Sequence, residues 1–255
     1  MNWKNKVVFL TGASSGIGEA LAIELAKRGA ILGLLARRED LLTEIALKCE
    51  NAGGKGRVFA CDVTDEVAVH AAAESLRTEF GKIDVMIANA GIGNPNHAKN
   101  LVATEVKQVT EINFFGAIHA VTAVLPQMIE QNCGQLVAVS SLAGFRGLPR
   151  SASYSASKAA MTNFFESLRL DLLNTNIGVT IIQPGFIRTP LTNDRANKMP
   201  FLMELDDAIP YFINAIEKRK KFAAFPWQLA TFVRLARIFP ASLYDKIASK
   251  TNYRE

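Results

Sequence analysis

The sequence predicts an α/β fold in which a doubly wound parallel sheet carries helices on both faces. Short apolar runs such as residues 7–10 have the composition of buried parallel strands. Each run leads through a turn into a segment with helical periodicity, and this alternation is typical of a parallel sheet with crossover helices. The 255 residues contain no linker or repeat, so we expect one domain over 1–255.

The predicted strands and helices alternate in chain order. Strands are expected at residues 7–10, 30–36, 57–60, 83–88, 135–140 and 178–182. Helices are expected at residues 17–29, 39–52, 65–80, 101–131 and 152–175, the fourth with an interruption. Because the carboxyl ends of parallel strands meet at one edge of the sheet, ligands are expected there.

Composition narrows the class of protein. Hydrophobic residues make up 49% of the chain and charged residues 21%, as in soluble globular proteins. We expect no membrane-spanning segment, and residues 1–6 do not have the pattern of a secretory signal. The net charge of +5 suits an anionic cofactor, but without a dense basic patch it does not indicate nucleic-acid binding. The basic run at 218–221 is expected to be a solvated helix end.

The three cysteines indicate a reducing compartment and no metal site. Cys49, Cys61 and Cys133 are odd in number and have no metal-ligand spacing. Reduced thiols are typical of cytoplasmic proteins, so we expect a cytoplasmic location.

A glycine-rich loop at residues 11–18 follows the first strand and opens the first helix. This context lets a helix N-terminus bind phosphate. Gly12 would permit the tight turn, Gly16 the approach of a pyrophosphate, and Gly18 close packing of helix on strand. The spacing G-x-x-x-G-x-G differs from the common dinucleotide pattern, so a plain turn between strand and helix is the alternative.

The ends of later strands carry further candidate ligands for a dinucleotide. Arg37 and Arg38 follow the second strand, where an acidic residue would bind the ribose of NAD, and guanidinium groups suit a 2′-phosphate. Two surface arginines opening a helix are the alternative. Asp62 could bind an adenine amino group or cap the next helix. Residues 89–91 end another strand at the same edge.

Tyr154 and Lys158 are four residues apart at the start of a predicted helix, so they share one face. A phenol has a pKa near ~10, and a neighbouring cation favours the phenolate, as a general acid/base at neutral pH requires. A partly buried tyrosine beside a solvated lysine is the alternative. Ser141 ends the preceding strand and Asn113 lies within a long helix, and both are ordinary polar positions if taken alone.

Six motifs stand together in one order and spacing. They are TGASSGIG at 11–18, NAG at 89–91, Asn113, SSLAG at 140–144, YSASK at 154–158 and PG at 184–185. The set resembles the short-chain dehydrogenase/reductase family over residues 5–190. The resemblance implies a Rossmann-like domain with about seven strands and hydride transfer between a nicotinamide cofactor and a carbonyl or alcohol.

The resemblance assigns a role to each candidate catalytic residue. Tyr154 matches the general acid/base, and Lys158 matches the residue that lowers the tyrosine pKa and holds the nicotinamide ribose. Ser141 matches the residue that orients and polarises the substrate oxygen. Asn113 matches the residue that holds a water in a proton relay to the lysine.

The resemblance also implies a cofactor site of many residues. The predicted members are Gly12, Ser14, Ser15, Gly16, Ile17, Gly18, Arg37, Arg38, Asp62, Val63, Asn89, Ala90, Gly91, Tyr154, Lys158, Pro184, Gly185, Ile187 and Thr189. Ser15 stands where some NADP-preferring members carry a basic residue, and Ala88 where many carry a second asparagine. Arg37, with Arg38 in support, therefore carries the preference for NADP(H), with NAD(H) as the alternative.

Residues from about 190 to 255 are expected to form a substrate-side lid and a C-terminal helical extension. Pro226 is placed to start an amphipathic helix that Pro240 ends, and a second helix is expected from 241 to about 250. We favour packing of this tail on the protein's own core or on a twin subunit. A lid over the substrate site and a contact with a membrane surface remain open.

The predicted function is an NADP(H)-dependent oxidoreductase acting on an apolar carbonyl or alcohol, as a homodimer or homotetramer. The apolar residues expected on the substrate side are Phe145, Leu148, Phe186, Leu191, Met199 and Phe201. The rival hypotheses are a regulatory protein that binds NADP(H) without turnover and a membrane-surface scaffold. Non-catalytic family relatives usually lose the tyrosine or the lysine, whereas all four catalytic positions stand here.

Overall fold

A computed structural model describes residues 1–93, 97–193 and 199–249. They form a seven-stranded sheet in the order β3-β2-β1-β4-β5-β6-β7, in which all paired strands are parallel. The strands are β1 Val7–Thr11, β2 Ile31–Ala36, β3 Lys55–Ala60, β4 Val85–Ala88, β5 Gly134–Val139, β6 Ile177–Pro184 and β7 Phe222–Phe225. The order reverses between β1 and β4, which opens a crevice at their carboxyl ends.

Helices connect the strands on both faces of the sheet. They are α1 Gly16–Lys27, α2 Glu39–Asn51, α3 Glu66–Phe80, α4 Ala103–Thr110, α5 Gly116–Glu130, α6 Ala152–Asp171, α7 Leu205–Glu217, α8 Trp227–Ala236 and α9 Ala241–Ala248. Short 3-10 helices cover Ala98–Asn100 and Leu142–Gly144, and a π-helical segment, Glu111–Phe115, joins α4 to α5. The predicted fold class is confirmed, including the helical extension.

The sheet divides the interior into two hydrophobic layers. Val8 and Leu10 of β1 face the layer formed with α1, α2 and α7, whereas Val7 and Phe9 face the layer formed with α3, α5 and α6. Successive side chains of a strand point to opposite faces, so a strand covered on both sides is apolar throughout. This is why β1, β2, β4 and β5 are continuous buried runs in the sequence.

The long helical stretch predicted at 101–131 has its interruption at the π-helical segment. By length and composition alone, one helical stretch among the described residues is long and apolar enough to cross a membrane, which the sequence analysis did not expect. Ala103–Glu130 contains an 18-residue window of mean hydropathy 1.4, of which 44% is buried. Its apolar side packs on α3, α6 and β4 in the core, where a soluble protein also places an apolar helix.

Two further expectations have structural outcomes. The basic run at 218–221 is exposed and directly follows α7, as predicted for a solvated helix end. Among the described residues all three cysteines are free, with Cys49 buried, Cys61 half-buried and Cys133 exposed. The second tail helix ends at Ala248, and residue 250 lies outside the described part of the chain.

Candidate active site

The predicted cofactor residues line two connected spaces at the carboxyl edge of the sheet. A groove of about 390 Å³ runs past the ends of β1, β2, β3 and β4. Its predicted members are Gly12, Ser14, Ser15, Gly16, Ile17, Arg37, Arg38, Asp62, Val63, Asn89, Ala90, Gly91 and Thr189. A smaller cavity of about 100 Å³ is lined by Ser141, Tyr154, Lys158, Pro184, Gly185 and Ile187.

The glycine loop forms a cradle that larger residues would fill. Gly12 has a φ of +66°, and a Cβ there would lie 2.6 Å from the Cα of Ala90. Gly16 has a φ of +57°, a conformation that side chains disfavour. Gly18 faces inward, and a Cβ would lie 2.1 Å from the carbonyl oxygen of Gly12, so its role is packing rather than lining the groove.

The N-terminus of α1 faces this cradle. Ser15 is its N-cap residue, but the serine side chain makes no capping hydrogen bond. The first N–H groups of a helix have no partner within the helix, and they favour an anion. The open groove, the required glycines and the uncapped helix end therefore fit the pyrophosphate of a dinucleotide cofactor.

Asn89 and Thr11 fix the ends of β4 and β1 to each other. The Asn89 side-chain amide donates to the carbonyl oxygens of Thr11 and Gly12, both at 3.1 Å. The Thr11 hydroxyl accepts from the backbone N–H groups of Asn89 and Ala90, at 3.0 and 3.1 Å. The Asn89 amide nitrogen is thus engaged in holding the loop, and the contribution of Thr11 is one that the sequence did not single out.

The two candidate arginines point to different places. Arg38 donates from Nη2 to the hydroxyls of Ser14 and Ser15, both at 3.0 Å, and so lies against the glycine loop. Arg37 is largely exposed and lies 3.7 Å from a carboxylate oxygen of Asp62. Arg38 is therefore the arginine that contacts the glycine loop, whereas the sequence-based hypothesis gave the main role to Arg37.

Asp62 acts as a local turn cap as well as lining the groove. Its Oδ1 accepts hydrogen bonds from the backbone N–H and the hydroxyl of Thr64, at 3.0 and 2.9 Å. The N-cap of α3 is Asp65, whose carboxylate accepts from the N–H of Ala68. Asp62 therefore does not cap α3, which was one of the two roles left open for it; its carboxylate closes a turn before the helix and lines the groove.

Tyr154 and Lys158 meet at the smaller cavity, as their spacing on α6 predicts. The Lys158 Nζ lies 5.9 Å from the centre of the Tyr154 ring. It donates to the carbonyl oxygen of Val139 at 2.8 Å. Burial lowers the pKa of Lys158 to about 8, because a buried ammonium loses its hydration.

Ser141 lies across the cavity from α6 at the end of β5. Its hydroxyl accepts from the N–H of Ala143 at 3.1 Å and donates weakly to the carbonyl oxygen of Pro184 at 3.5 Å. Such a long hydrogen bond is easily exchanged for a better acceptor. A carbonyl oxygen in the cavity could therefore receive the Ser141 proton.

Asn113 is fully buried in the π-helical segment, and its side chain makes three hydrogen bonds. Its Oδ1 accepts from the N–H of Ile92 at 2.7 Å, while its Nδ2 donates to the carbonyl oxygen of Ile92 and to the Ser157 hydroxyl, at 2.9 and 3.0 Å. The side chain thus ties the segment after β4 to α6. Both N–H groups of Nδ2 are thus used, whereas Oδ1 accepts one hydrogen bond and has a second lone pair that could accept from a water, as the family role would suggest.

Two hydroxyl groups that the sequence analysis did not single out hold the backbone of Lys158 in place. Ser140 and Thr162 both donate to the Lys158 carbonyl oxygen, at 3.0 and 2.9 Å, and their hydroxyl oxygens lie 2.8 Å apart. Thr162 is four residues after Lys158 on the same helix, a spacing that could have indicated this contact.

A third cavity, of about 170 Å³, extends from Ser141 and Tyr154 away from the groove. Among the predicted apolar residues, Leu148, Phe186, Leu191 and Met199 line it, whereas Phe145 and the largely exposed Phe201 do not. The tail forms the opposite wall. Its contributing side chains are Leu229, Phe232, Val233 and Ala236 of α8 and Tyr244, Ile247 and Ala248 of α9.

The tail therefore covers the cavity beside Ser141 and Tyr154. The sequence analysis had favoured packing of the tail on the core or on a twin subunit over this role.

Arg146 holds the tail in this position. The Arg146 guanidinium donates to the carbonyl oxygens of Ala236 and Phe239 and stacks 3.9 Å from the centre of the Tyr244 ring. The Tyr244 hydroxyl donates to the carbonyl oxygen of Gly147 at 2.5 Å.

Comparison with protein families gives one match over most of the chain. The family model described as short chain dehydrogenase matches residues 6–200.

Within the described residues there is no group of three or more His, Cys, Asp or Glu side chains that could bind a metal ion.

Several curated proteins are similar over most of their length. An uncharacterised oxidoreductase of Myxococcus xanthus is 42% identical over 96% of this chain and 97% of its own. An 11-beta-hydroxysteroid dehydrogenase-like protein of Arabidopsis thaliana is 36% identical over 94% and 83%. A fatty acyl-CoA reductase of Acinetobacter baylyi is 33% identical over 86% and 76%.

A solved structure has the same fold throughout. A short-chain dehydrogenase/reductase of Burkholderia phymatum in complex with NAD superposes with a TM-score of 0.87 at 25% identity, covering 100% of this chain and 98% of that one.

Proposed function

Because the chain belongs to the short-chain dehydrogenase family of oxidoreductases, we propose that it interconverts an apolar ketone and the corresponding alcohol with NADP(H). The observation that carries this proposal is the convergence of Ser141, Tyr154 and Lys158 on one cavity that opens both to the dinucleotide groove and to an apolar chamber.

The bound nicotinamide supplies the hydride in the reducing direction and accepts it in the oxidising direction. Ser141 donates a hydrogen bond to the substrate oxygen and so polarises the carbonyl. Tyr154 donates its proton to the alkoxide that forms, and Lys158 favours the resulting phenolate by its charge. In alcohol oxidation the same tyrosine accepts the proton.

Arg38 supports the choice of NADP(H). A 2′-phosphate at the edge of the glycine loop would meet a guanidinium already directed at Ser14 and Ser15, and Ala36 adds no carboxylate to repel it. NAD(H) remains the alternative, since the Burkholderia structure contains NAD.

The lining of the cavity beside Tyr154 is the argument for an apolar substrate. Its described wall is made of apolar side chains apart from Arg146 and the hydroxyl groups of Ser141, Thr192, Tyr154 and Tyr244. The names of the similar proteins, a hydroxysteroid dehydrogenase-like protein and a fatty acyl-CoA reductase, suggest steroid-like and lipid-like carbonyls as the first compounds to assay.

We also propose that the protein is cytoplasmic and forms a homodimer or a homotetramer.

The proposal is tested with a panel of apolar ketones and alcohols, each assayed with NADP(H) and NAD(H) by nicotinamide absorbance. We expect turnover of at least one pair and a higher kcat/KM with NADP(H). Cofactor binding without turnover across a broad panel would favour the rival function, a regulatory protein that senses NADP(H).

A further inference from the structure

Helices α8 and α9 together cover the cavity beside Tyr154, and we call them the lid. Helix α8 has two apolar sides. Its inward side, with Leu229, Val233 and Ala236, lines the cavity beside Tyr154. Two other apolar side chains of α8 are exposed, Trp227 at 72% and Leu235 at 51%, and so is Ile238, two residues past the end of the helix, at 78%. We call these three residues the outward face of α8.

The outward face is continuous along the helix. Trp227 and Ile238 are about three turns apart, and Leu235 lies one turn before Ile238, so all three project from one side. α8 ends at Ala236, and its C-cap residue Arg237 keeps helical dihedral angles. Ile238 follows in a turn, where its N–H donates to the carbonyl oxygen of Leu235. On α9, the exposed Leu243 adds a further apolar side chain. Exposed apolar side chains grouped in this way mark an interaction surface.

Positive charge accompanies these apolar residues. Between residues 226 and 249 the sequence has three cations, Arg234, Arg237 and Lys246, and one acid, Asp245. Among the described residues no carboxylate forms an ion pair with any of the three cations. An apolar face flanked by unpaired cations is the pattern of a helix that lies in the interface of an anionic membrane.

The same charges disfavour a second copy of this chain as the partner. A two-fold contact through the outward face would bring Arg234 and Arg237 close to the same residues of the other copy. α8 carries no acidic side chain that could neutralise them. Like charges placed together in an interface oppose association.

We propose that the outward face of α8 docks on the surface of an anionic lipid bilayer. Trp227, Leu235 and Ile238 enter the boundary between headgroups and acyl chains, while Arg234, Arg237 and Lys246 contact lipid phosphates. The lid then lies between the bilayer and the apolar cavity. Docking requires no turnover, so it is tested independently of the proposed oxidoreductase activity.

The test is co-sedimentation of the full chain with vesicles of phosphatidylcholine and phosphatidylglycerol, compared with vesicles of phosphatidylcholine alone. We expect binding to the anionic vesicles that weakens with salt, because the Debye length falls from about 10 Å at 0.1 M to about 3 Å at 1 M. The double variant Leu235→Ser/Ile238→Ser should bind at least about tenfold more weakly. Arg234→Glu/Arg237→Glu should also lose binding, and Arg234→Lys/Arg237→Lys should retain it.

The matched control is Leu47→Ser/Val67→Ser, which removes two other apolar side chains with exposed fractions of 56% and 80% from α2 and α3. This control should bind vesicles like the wild type. Neither serine pair touches the cofactor groove, so unchanged cofactor affinity shows that each variant is folded, and Trp227→Gln provides a milder change if the double variant is not.

Three results would overturn the proposal. The first is a wild type that stays in the supernatant with both kinds of vesicle. The second is an equal loss of binding in the control variant. The third is a wild type that self-associates through this face, seen as a lower solution mass when Leu235 and Ile238 are replaced, because a second copy would then cover the face.

Discussion

Lys158 is a buried cation in the wall of the smaller cavity, with an exposed fraction of 4%. Within the described residues its Nζ has the Val139 carbonyl oxygen as its close polar partner, and Asn113 Oδ1 lies nearby across Gly91. A lysine whose folded pKa lies below its unfolded value opposes folding while it is charged. The fold therefore retains a group that weakens it, as is common at sites where the charge serves catalysis.

The first prediction follows from the sign of this shift. The folded pKa of Lys158 is about 8 and the unfolded value is 10.5, so the unfolded chain binds more protons between these values. The penalty, on the order of 3 kcal/mol, is complete below pH 8 and disappears as pH rises towards 10.5. Lys158→Met removes it.

The measurement is urea unfolding of wild type and Lys158→Met at several pH values from 7 to 10.5. We expect the free energy of unfolding of the variant, relative to wild type, to decrease as pH rises. A difference that stays constant over this range would contradict the buried-cation account.

The second prediction concerns the cofactor phosphate. Arg38→Ala should weaken NADP(H) binding by roughly 1.5–3 kcal/mol, the usual contribution of hydrogen bonds to charged groups. That corresponds to about 10- to 150-fold in Kd. Binding of NAD(H), which lacks the phosphate, should change little. The readout is the Kd for each cofactor by fluorescence titration.

Arg37→Ala is the matched control, since it removes the same charge from the neighbouring position. Arg37→Ala should raise the Kd for NADP(H) less than Arg38→Ala does, because Arg37 lies beside Asp62 and not against the glycine loop. A larger selective loss in Arg37→Ala than in Arg38→Ala would reverse the assignment.

At the scale of elements, the lid is joined to the active-site loop by one side chain. Arg146 follows the 3-10 helix that Ser141 caps, and it contacts the end of α8 and the ring of Tyr244 on α9. A cation at a helix C-terminus and over an aromatic face is favourable in both places. Arg146 thus links the position of Ser141 to that of the lid.

The third prediction is that Arg146→Ala loosens the lid. Loss of charge-assisted hydrogen bonds and of the stacked ring should raise KM for an apolar substrate by about tenfold or more. The change in kcat should be smaller, since Tyr154 and Lys158 remain in place. Tyr244→Phe, which retains the ring and loses only the bond to Gly147, should give a weaker form of the same change. An effect on kcat alone would contradict this role.

At the scale of the whole molecule, local patterns predicted most of the fold. Alternating apolar runs and helical periodicity located β1 to β6 and α1 to α6, because each depends on residues near in sequence. β7 and α7 were not located individually. β7 is a strand of four residues, too short for a periodic signal. α7 does have helical periodicity, since Ile209, Phe212 and Ile216 are buried on one side, but Pro210 within the segment argues against a helix there.

Two assignments depend on which side of an element a side chain faces, and the sequence did not determine that side. Arg37 and Arg38 follow an extended strand, in which adjacent side chains point to opposite sides, so composition alone did not distinguish them. In α8 both Leu229 and Leu235 are apolar, so periodicity did not show which side covers the cavity. The contact of Arg146 with Ala236 spans 90 residues and depends on the folded chain.

The central claim is that Tyr154 transfers the proton while the groove binds the cofactor. The most direct measurement compares wild type, Tyr154→Phe and the control Tyr211→Phe, a half-exposed tyrosine of α7, for turnover and for cofactor Kd. Tyr154→Phe removes a single hydroxyl, so we expect turnover to fall by about 10²- to 10⁴-fold while the cofactor Kd stays near the wild-type value. Tyr211→Phe should match wild type in both. Wild-type turnover in Tyr154→Phe would contradict the account.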